Sequence, residues 1–181
     1  MIAAGDVVKL KICMAGEGAV GKTSLIRRYV LDQYDDRYVA TLGTKITKKS
    51  VKVDNPRGPG QIQADVILWD IMGTSTLREL LKEAYYHGAQ GILAVADLTR
   101  QDTLGALDEW ARSIRSVAGD IPTFGVVNKI DLAGQRAIPA AEVEAFFTKR
   151  GWPWAYSSAK TGRGVEESFV GLVRLVLQSR H

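Results

Sequence analysis

The stretch Gly16-Glu17-Gly18-Ala19-Val20-Gly21-Lys22-Thr23 limits what this chain can fold into more than any other. It fits G-x-x-x-x-G-K-[ST], a pattern that has meaning as the turn between a strand and a helix. The flanks supply both. Val7 to Ala15 reads as a buried strand, and from Thr23 to about Leu31 the residues Leu25, Ile26, Tyr29 and Val30 recur on one side of a helix. In that setting glycines let the backbone curl around phosphate oxygens, successive N–H groups point inward, and the helix N-terminus adds partial positive charge. Lys22 can reach the β- and γ-phosphates as a point charge, and the Thr23 hydroxyl can hold Mg²⁺. Gly18, Ala19, Val20, Gly21, Lys22, Thr23 and Ser24 are therefore the phosphate-side candidates. A glycine-rich turn that merely contains Lys-Thr is the bland alternative, and the strand-loop-helix context argues against it.

Strand-like runs alternate with helical ones along the chain: Val7–Ala15, Lys45–Val53, Ile62–Trp69, Gly91–Asp97, Thr123–Asn128 and Trp154–Ser157. Between the second and third, Asp54-Asn55-Pro56-Arg57-Gly58-Pro59-Gly60 is turn chemistry, so these strands should pair as a hairpin. Ile92 to Ala96 is continuously apolar, as a strand covered on both faces must be. Apolar stripes at helical spacing follow: Leu77, Leu80, Leu81, Ala84 and Tyr85; Leu104, Leu107, Trp110, Ala111, Ile114 and Val117; Val165, Phe169, Leu172, Val173, Val176 and Leu177. Each stripe is expected to face the sheet. The expected fold is a three-layer α/β phosphate-loop domain. It has a six-stranded, mostly parallel sheet, one antiparallel edge strand and about five helices, all in one domain spanning residues 1–181. Ligands of such sheets bind where the strands end at their carboxyl edge.

A phosphate loop leaves the base undecided. Asn128-Lys129-Ile130-Asp131 follows the fifth strand directly. The Asp131 carboxylate can accept two hydrogen bonds from the ring N–H and exocyclic amine of guanine, a donor pair that adenine lacks. Asn128 can fix the loop and the base edge, and the Lys129 stem can lie over the ring. Ser158-Ala159-Lys160 follows the sixth strand, and its backbone N–H groups could meet the guanine carbonyl. Asp70, in Trp69-Asp70-Ile71-Met72-Gly73 at the end of the third strand, is placed to hold Mg²⁺ through water, and the N–H of Gly73 could approach the γ-phosphate. A phosphate-loop kinase or ATPase is the weaker reading, because Asn128 to Asp131 selects guanine.

In this order and at this spacing the motifs resemble the Ras superfamily of small GTPases, and most its Rab branch. Tyr85-Tyr86-His87-Gly88-Ala89-Gln90-Gly91-Ile92-Leu93, then Asp97-Leu98-Thr99 and Trp110, resemble the Rab segment after the second switch. The resemblance runs from about Val7 to Leu177. It implies that Thr41 joins Mg²⁺ through its hydroxyl and meets the γ-phosphate through its N–H. It implies that Tyr34 packs its ring against guanine, although capping the first helix's apolar face is the other reading. Gly18 matches the glycine whose missing side chain leaves room for catalytic geometry. The implied catalytic set is Lys22, Thr41, Gly73 and Thr74, the implied metal set Thr23, Thr41 and Asp70, and the implied ligands GTP or GDP with Mg²⁺. Effectors, exchange factors and activating proteins would meet the two switches, roughly Tyr34–Gly43 and Asp70–Tyr85.

The chain also departs from the family. Where the family usually reads Trp-Asp-Thr-Ala-Gly-Gln-Glu, it has Ile71 and Met72 for Thr-Ala, and Thr74 and Ser75 for Gln-Glu. The glutamine orients the attacking water, and threonine is shorter and lacks the amide that both donates and accepts. Weak intrinsic hydrolysis with intact nucleotide binding is expected; a GTP-binding interaction module with negligible turnover is the alternative.

The remaining features are bland. Hydrophobic and charged residues make up 46% and 24% of the 181 residues, as in an ordinary soluble globule, and the formal net charge of +4 says little about partners. Nucleic acid is not expected as a partner, and a monomer is. Cys13 is the only cysteine, so neither an internal disulfide nor a cysteine-based zinc cluster can form, and a reducing, cytoplasmic setting is expected. No signal peptide, membrane span, myristoylation pattern or C-terminal prenylation cysteine is read. Lys45, Lys48, Lys49 and Lys52 read as guards of an exposed edge strand, with a docking surface for an acidic partner as the alternative. Trp152 and Trp154, flanking Pro153, should anchor their loop in the core.

Overall fold

A computed structural model describes residues 7–37, 43–71 and 75–180. Six strands form a single sheet: β1 (Val7–Ala15), β2 (Thr44–Asp54), β3 (Gln61–Ile71), β4 (Gly91–Asp97), β5 (Thr123–Asn128) and β6 (Trp154–Tyr156), in the order β2-β3-β1-β4-β5-β6. Only the β2–β3 pair is antiparallel. Its hairpin closes through Asn55 N–H donating to the Gly60 carbonyl at 2.9 Å, and the ladder runs out to Thr44–Ile71, so both strands are longer than their apolar runs. The helices are α1 (Lys22–Leu31), α2 (Ser75–Tyr86), α3 (Asp102–Gly105), α4 (Leu107–Ala118), α5 (Ala140–Arg150) and α6 (Val165–Ser179). Among the described residues these six α-helices, against about five expected, include the single turn α3, set apart from α4 at Ala106. The α5 helix carries no readable stripe because it buries little beyond Val143 and Phe147.

Alternation along the central strands divides the core between the two faces. Leu10, Ile12, Met14, Leu93, Val95 and Val126 pack with Leu25 and Tyr29 of α1 and Phe169, Leu172 and Val176 of α6. Cys13, Ala15, Ile92, Ala94, Ala96 and Val127 pack with Tyr86, Trp110, Ile114 and Phe147 on the other side. That period of two is why β4 had to read as continuously apolar. The Tyr29 and Phe169 rings stack at 4.2 Å and clasp α1 to α6. Trp152 is buried and Trp154 stacks on Phe147, as their anchoring role required.

The stripe of α2 departs from expectation. Leu80 is 75% and Leu81 38% exposed, and it is Tyr86, at the helix's C-terminal end, that is fully buried. Amphipathic spacing marks an apolar side but not what covers it: Leu80, Leu81 and Ala84 lie exposed, while Tyr85 packs against the core. On β2, an edge strand, Lys48 pairs with Asp65 at 2.6 Å, and the Lys49 ammonium donates to the Tyr29 carbonyl and lies over its ring at 3.9 Å. Among the described residues no helix is long and apolar enough to cross a membrane.

Candidate functional site

The sheet reverses its order at β1, with β3 on one side and β4 on the other, which places a crevice beyond the carboxyl ends of these strands. Each motif opens from such an end: Gly16–Thr23 from β1, Asp70 from β3, Asn128–Asp131 from β5 and Ser158–Lys160 from β6.

The β1–α1 loop needs backbone that most residues avoid. Gly16 has φ 140° and Gly21 φ 104°, and a Cβ on the first would strike the Val95 carbonyl, on the second the Asn128 amide. Ala19 is held at φ 63°. The loop is pinned from outside at successive carbonyls. Arg100 Nη1 donates to Gly18 O at 2.7 Å, Lys129 Nζ to Ala19 O at 2.8 Å, and Asn128 Nδ2 to Val20 O at 3.0 Å. In a planar trans peptide the carbonyl and the following N–H point opposite ways. These anchors therefore turn the N–H groups of Ala19, Val20 and Gly21 to the other side of the loop. The α1 helix starts at Lys22 with no side-chain hydrogen bond from its N-cap, Gly21, and a helix N-terminus favours an anion through its partial positive charge. Lys22 is only 6% exposed, and its ammonium donates to Gly16 O at 2.5 Å and Glu17 O at 2.8 Å and lies 5.5 Å from the Trp110 ring centroid. Half-buried Ser24 follows in the first turn. A buried ammonium beside inward-turned amides fits a polyphosphate.

Thr23 Oγ1 donates to Asp70 Oδ2, which brings together a hydroxyl and a carboxylate from α1 and β3. Both are hard oxygen donors of the kind Mg²⁺ takes. Among the described residues no group of three or more His, Cys, Asp and Glu could hold a metal. Mg²⁺, which keeps several waters and binds with substrate phosphates, fits this sparse set.

Asn128 is 1% exposed and serves both halves of the crevice. While its amide nitrogen holds Val20, its Oδ1 accepts from Ser157 Oγ at 3.1 Å and Ala159 N–H at 3.2 Å. Lys129, at φ 69°, forms an ion pair at 2.6 Å with Asp97, which is fully buried at the end of β4. Asp131 is exposed and accepts from Ser158 Oγ at 2.6 Å, so its second carboxylate oxygen can face a ligand. Tyr34 is 37% exposed. Burial pushes its phenol above the ordinary value, and the carboxylates of Asp36, Asp131 and Asp35 add to this.

Thr41, Gly73 and Thr74, with Met72, lie outside the described residues. Sequence reasoning passed over Arg100, Asp97 and the Glu17–Trp110 contact, in which Trp110 Nε1 donates to Glu17 Oε1 at 2.8 Å. Arg100 and Trp110 belong to the β4–α4 region, and no local pattern announces that they meet a loop so far back in the chain.

A family model described as "Ras family" matches residues 11–178. The Ras-related protein Rab-21 of Geodia cydonium is 32% identical over 173 residues, covering 95% of this chain and 72% of that protein. Its counterpart in Bos taurus is 29% identical over 178 residues, covering 98% and 77%. The protein of the same name in Homo sapiens is 29% identical over 177 residues, covering 97% and 76%.

Proposed function

The chain belongs to the Ras family and is Rab-like over nearly its whole length, and on that premise we propose that it acts as a single GTPase domain, a switch that binds guanine nucleotide and hydrolyses GTP slowly to GDP and phosphate. The observation that carries this reading is Asn128, one buried side chain bonded to the phosphate loop at Val20 and to the base loop at Ala159. A ligand with phosphates in one loop and a base in the other would be gripped by both, and an Asp131 carboxylate steadied by Ser158 suits the two donors of guanine.

Lys22 and the amides of Gly18 to Gly21 hold the phosphates in this reading, with Thr23, Ser24 and Gly73 completing that side. Thr23, Asp70 and Thr41 hold Mg²⁺, which neutralises the charge that develops on the phosphates. Asn128, Lys129, Asp131, Ser158, Ala159, Lys160 and Tyr34 surround the base. Exchange factors, activators and effectors meet the switches, and the exposed Leu80 and Leu81 support an apolar contact there. Thr74 stands where relatives place the water-orienting glutamine, so intrinsic turnover is slow unless a partner supplies the missing groups.

Single-turnover hydrolysis by the pure protein, with bound nucleotide identified by chromatography, tests this. The expected result is bound guanine nucleotide, slow phosphate release, and a faster rate on Thr74→Gln. A wild-type rate equal to that of glutamine-bearing relatives overturns the slow-turnover reading. Bound nucleotide with no phosphate release at all favours a non-hydrolysing binding module.

A further inference from the structure

Arg28 lies in the middle of α1, past the phosphate-binding start of the same helix, and belongs to none of the nucleotide motifs. Its guanidinium nevertheless reaches across to the loop after β6. Nε donates to the Ala159 carbonyl at 2.8 Å and Nη2 to the Lys160 carbonyl at 2.6 Å. The remaining arm, Nη1, pairs with Asp32 at 2.9 Å at the end of α1, and the Arg28 side chain is 18% exposed. All three nitrogens of the fork are therefore engaged. A lysine could not do this, because a single ammonium on a flexible stem cannot bond two adjacent carbonyls and a carboxylate in one fixed plane.

The consequence follows from peptide planarity. The Ala159 carbonyl and the Lys160 N–H belong to one trans peptide and point in opposite directions. Drawing that oxygen toward α1 turns the Lys160 N–H away from α1. The next peptide is held twice: Arg28 takes the Lys160 carbonyl, and the Thr161 N–H donates to Ser158 Oγ at 3.0 Å. On the loop's other flank the Ala159 N–H meets Asn128 Oδ1. The loop is thus clamped on both sides, with the Lys160 amide between the clamps.

Resting on the guanine-nucleotide reading above, we infer that Arg28 is a positioning residue for base recognition: by holding the Ala159 and Lys160 carbonyls it aims the Lys160 N–H at the six-position oxygen of the purine. Asp131 sits in the turn after β5, where Ile130 N–H donates to Ser157 O at 3.0 Å and Leu132 N–H to Lys129 O at 2.9 Å, and it meets the Arg28-held loop through Ser158 Oγ at 2.6 Å. The bonds of Arg28 go to Ala159, Lys160 and Asp32, so its direct hold is on the carbonyl edge of the base, one side chain removed from Asp131. Because Arg28 shares α1 with Lys22 and Thr23, it also makes the base loop sense the helix that grips the phosphates.

The test compares three probes on wild type, Arg28→Ala and Arg28→Lys. GDP has the full set of recognition atoms. 6-Thio-GDP keeps the ring N–H and amine but offers sulfur, a poor acceptor, in place of the oxygen. Inosine diphosphate keeps the oxygen and loses the amine that Asp131 reads. Wild type should prefer GDP over both analogues. In Arg28→Ala the affinity for GDP should fall about tenfold, the scale of one hydrogen bond no longer preorganised. The preference over 6-thio-GDP should collapse toward unity, while the preference over inosine diphosphate stays within about twofold. Arg28→Lys, which keeps charge and bulk, should lie between. An unchanged preference over 6-thio-GDP, or an equal loss of both preferences, overturns the inference. Failure of wild type to bind any of the probes instead overturns the nucleotide reading itself, and circular dichroism of each variant separates either result from misfolding.

Discussion

Replacing Lys129 by methionine should expose how the phosphate and base halves are held together. The lysine ammonium makes two contacts, to Ala19 O at 2.8 Å and to Asp97 at 2.6 Å. Asp97 is fully buried, whereas the Lys129 side chain is 31% exposed. Asp97 Oδ1 is already committed to Thr99, accepting from its N–H at 2.9 Å and its hydroxyl at 2.7 Å. Lys129→Met therefore strands a buried carboxylate that no water reaches easily. Removing one partner of a buried ion pair costs about 3–5 kcal/mol, and the partial exposure of Lys129 puts this case near ~3 kcal/mol. For a domain of this size the loss corresponds to a melting-point drop of roughly 6–12 °C. Ala19, held at positive φ, loses its anchor in the same change, so nucleotide release should accelerate as well. Urea unfolding at a fixed excess of GDP measures the stability, with Asp97→Asn and the double variant completing a cycle. Asparagine keeps an acceptor for Thr99 and removes the charge, so the double variant should recover most of the loss, with a coupling of about 1–3 kcal/mol. A single variant within 1 kcal/mol of wild type, or a double variant as unstable as the sum of the singles, refutes the argument.

Arg100→Ala should speed GDP release about three- to tenfold with little change in unfolding free energy, because it removes one charge-assisted bond to the exposed side of the phosphate loop at Gly18; an unchanged release rate measured by stopped-flow fluorescence counts against the outside-anchor account. Burial pushes the Cys13 thiol up from 9.0 to about 12, partly countered by Lys11. The native thiol stays protonated where the unfolded one ionises, so its stability contribution is intact below pH 9 and is lost as pH rises toward 12. Labelling by a thiol reagent at pH 8 should proceed only as fast as global unfolding, and Cys13→Ala should flatten the alkaline limb of stability; rapid labelling of the folded protein contradicts this.

Much of the site could be read from the chain because its chemistry is local. Gly16 to Thr23 is one continuous turn, and its glycines are dictated by backbone angles and by the near neighbours a Cβ would strike. Asn128 to Asp131 and Ser158 to Lys160 were findable because each follows directly on a run of strand residues. The α2 stripe was misread at Leu80 and Leu81 for the opposite reason. Its spacing is a property of the helix alone, while the exposure of Leu80 and Leu81 depends on what the rest of the fold leaves beside it.

The sequence by itself determined the α/β alternation, the β2–β3 hairpin and the motifs that stand at the carboxyl ends of the strands, because periodicity, turn chemistry and motif spacing act over a few residues. Only the tertiary structure decided that Asn128 joins the two loops, that Asp97 lies beneath Lys129, and that Arg28 and Arg100 hold carbonyls of loops distant in the chain. The physical reason is that an arginine or a buried carboxylate carries no positional signal of its own. Its partner is chosen by which strand ends the sheet order brings side by side.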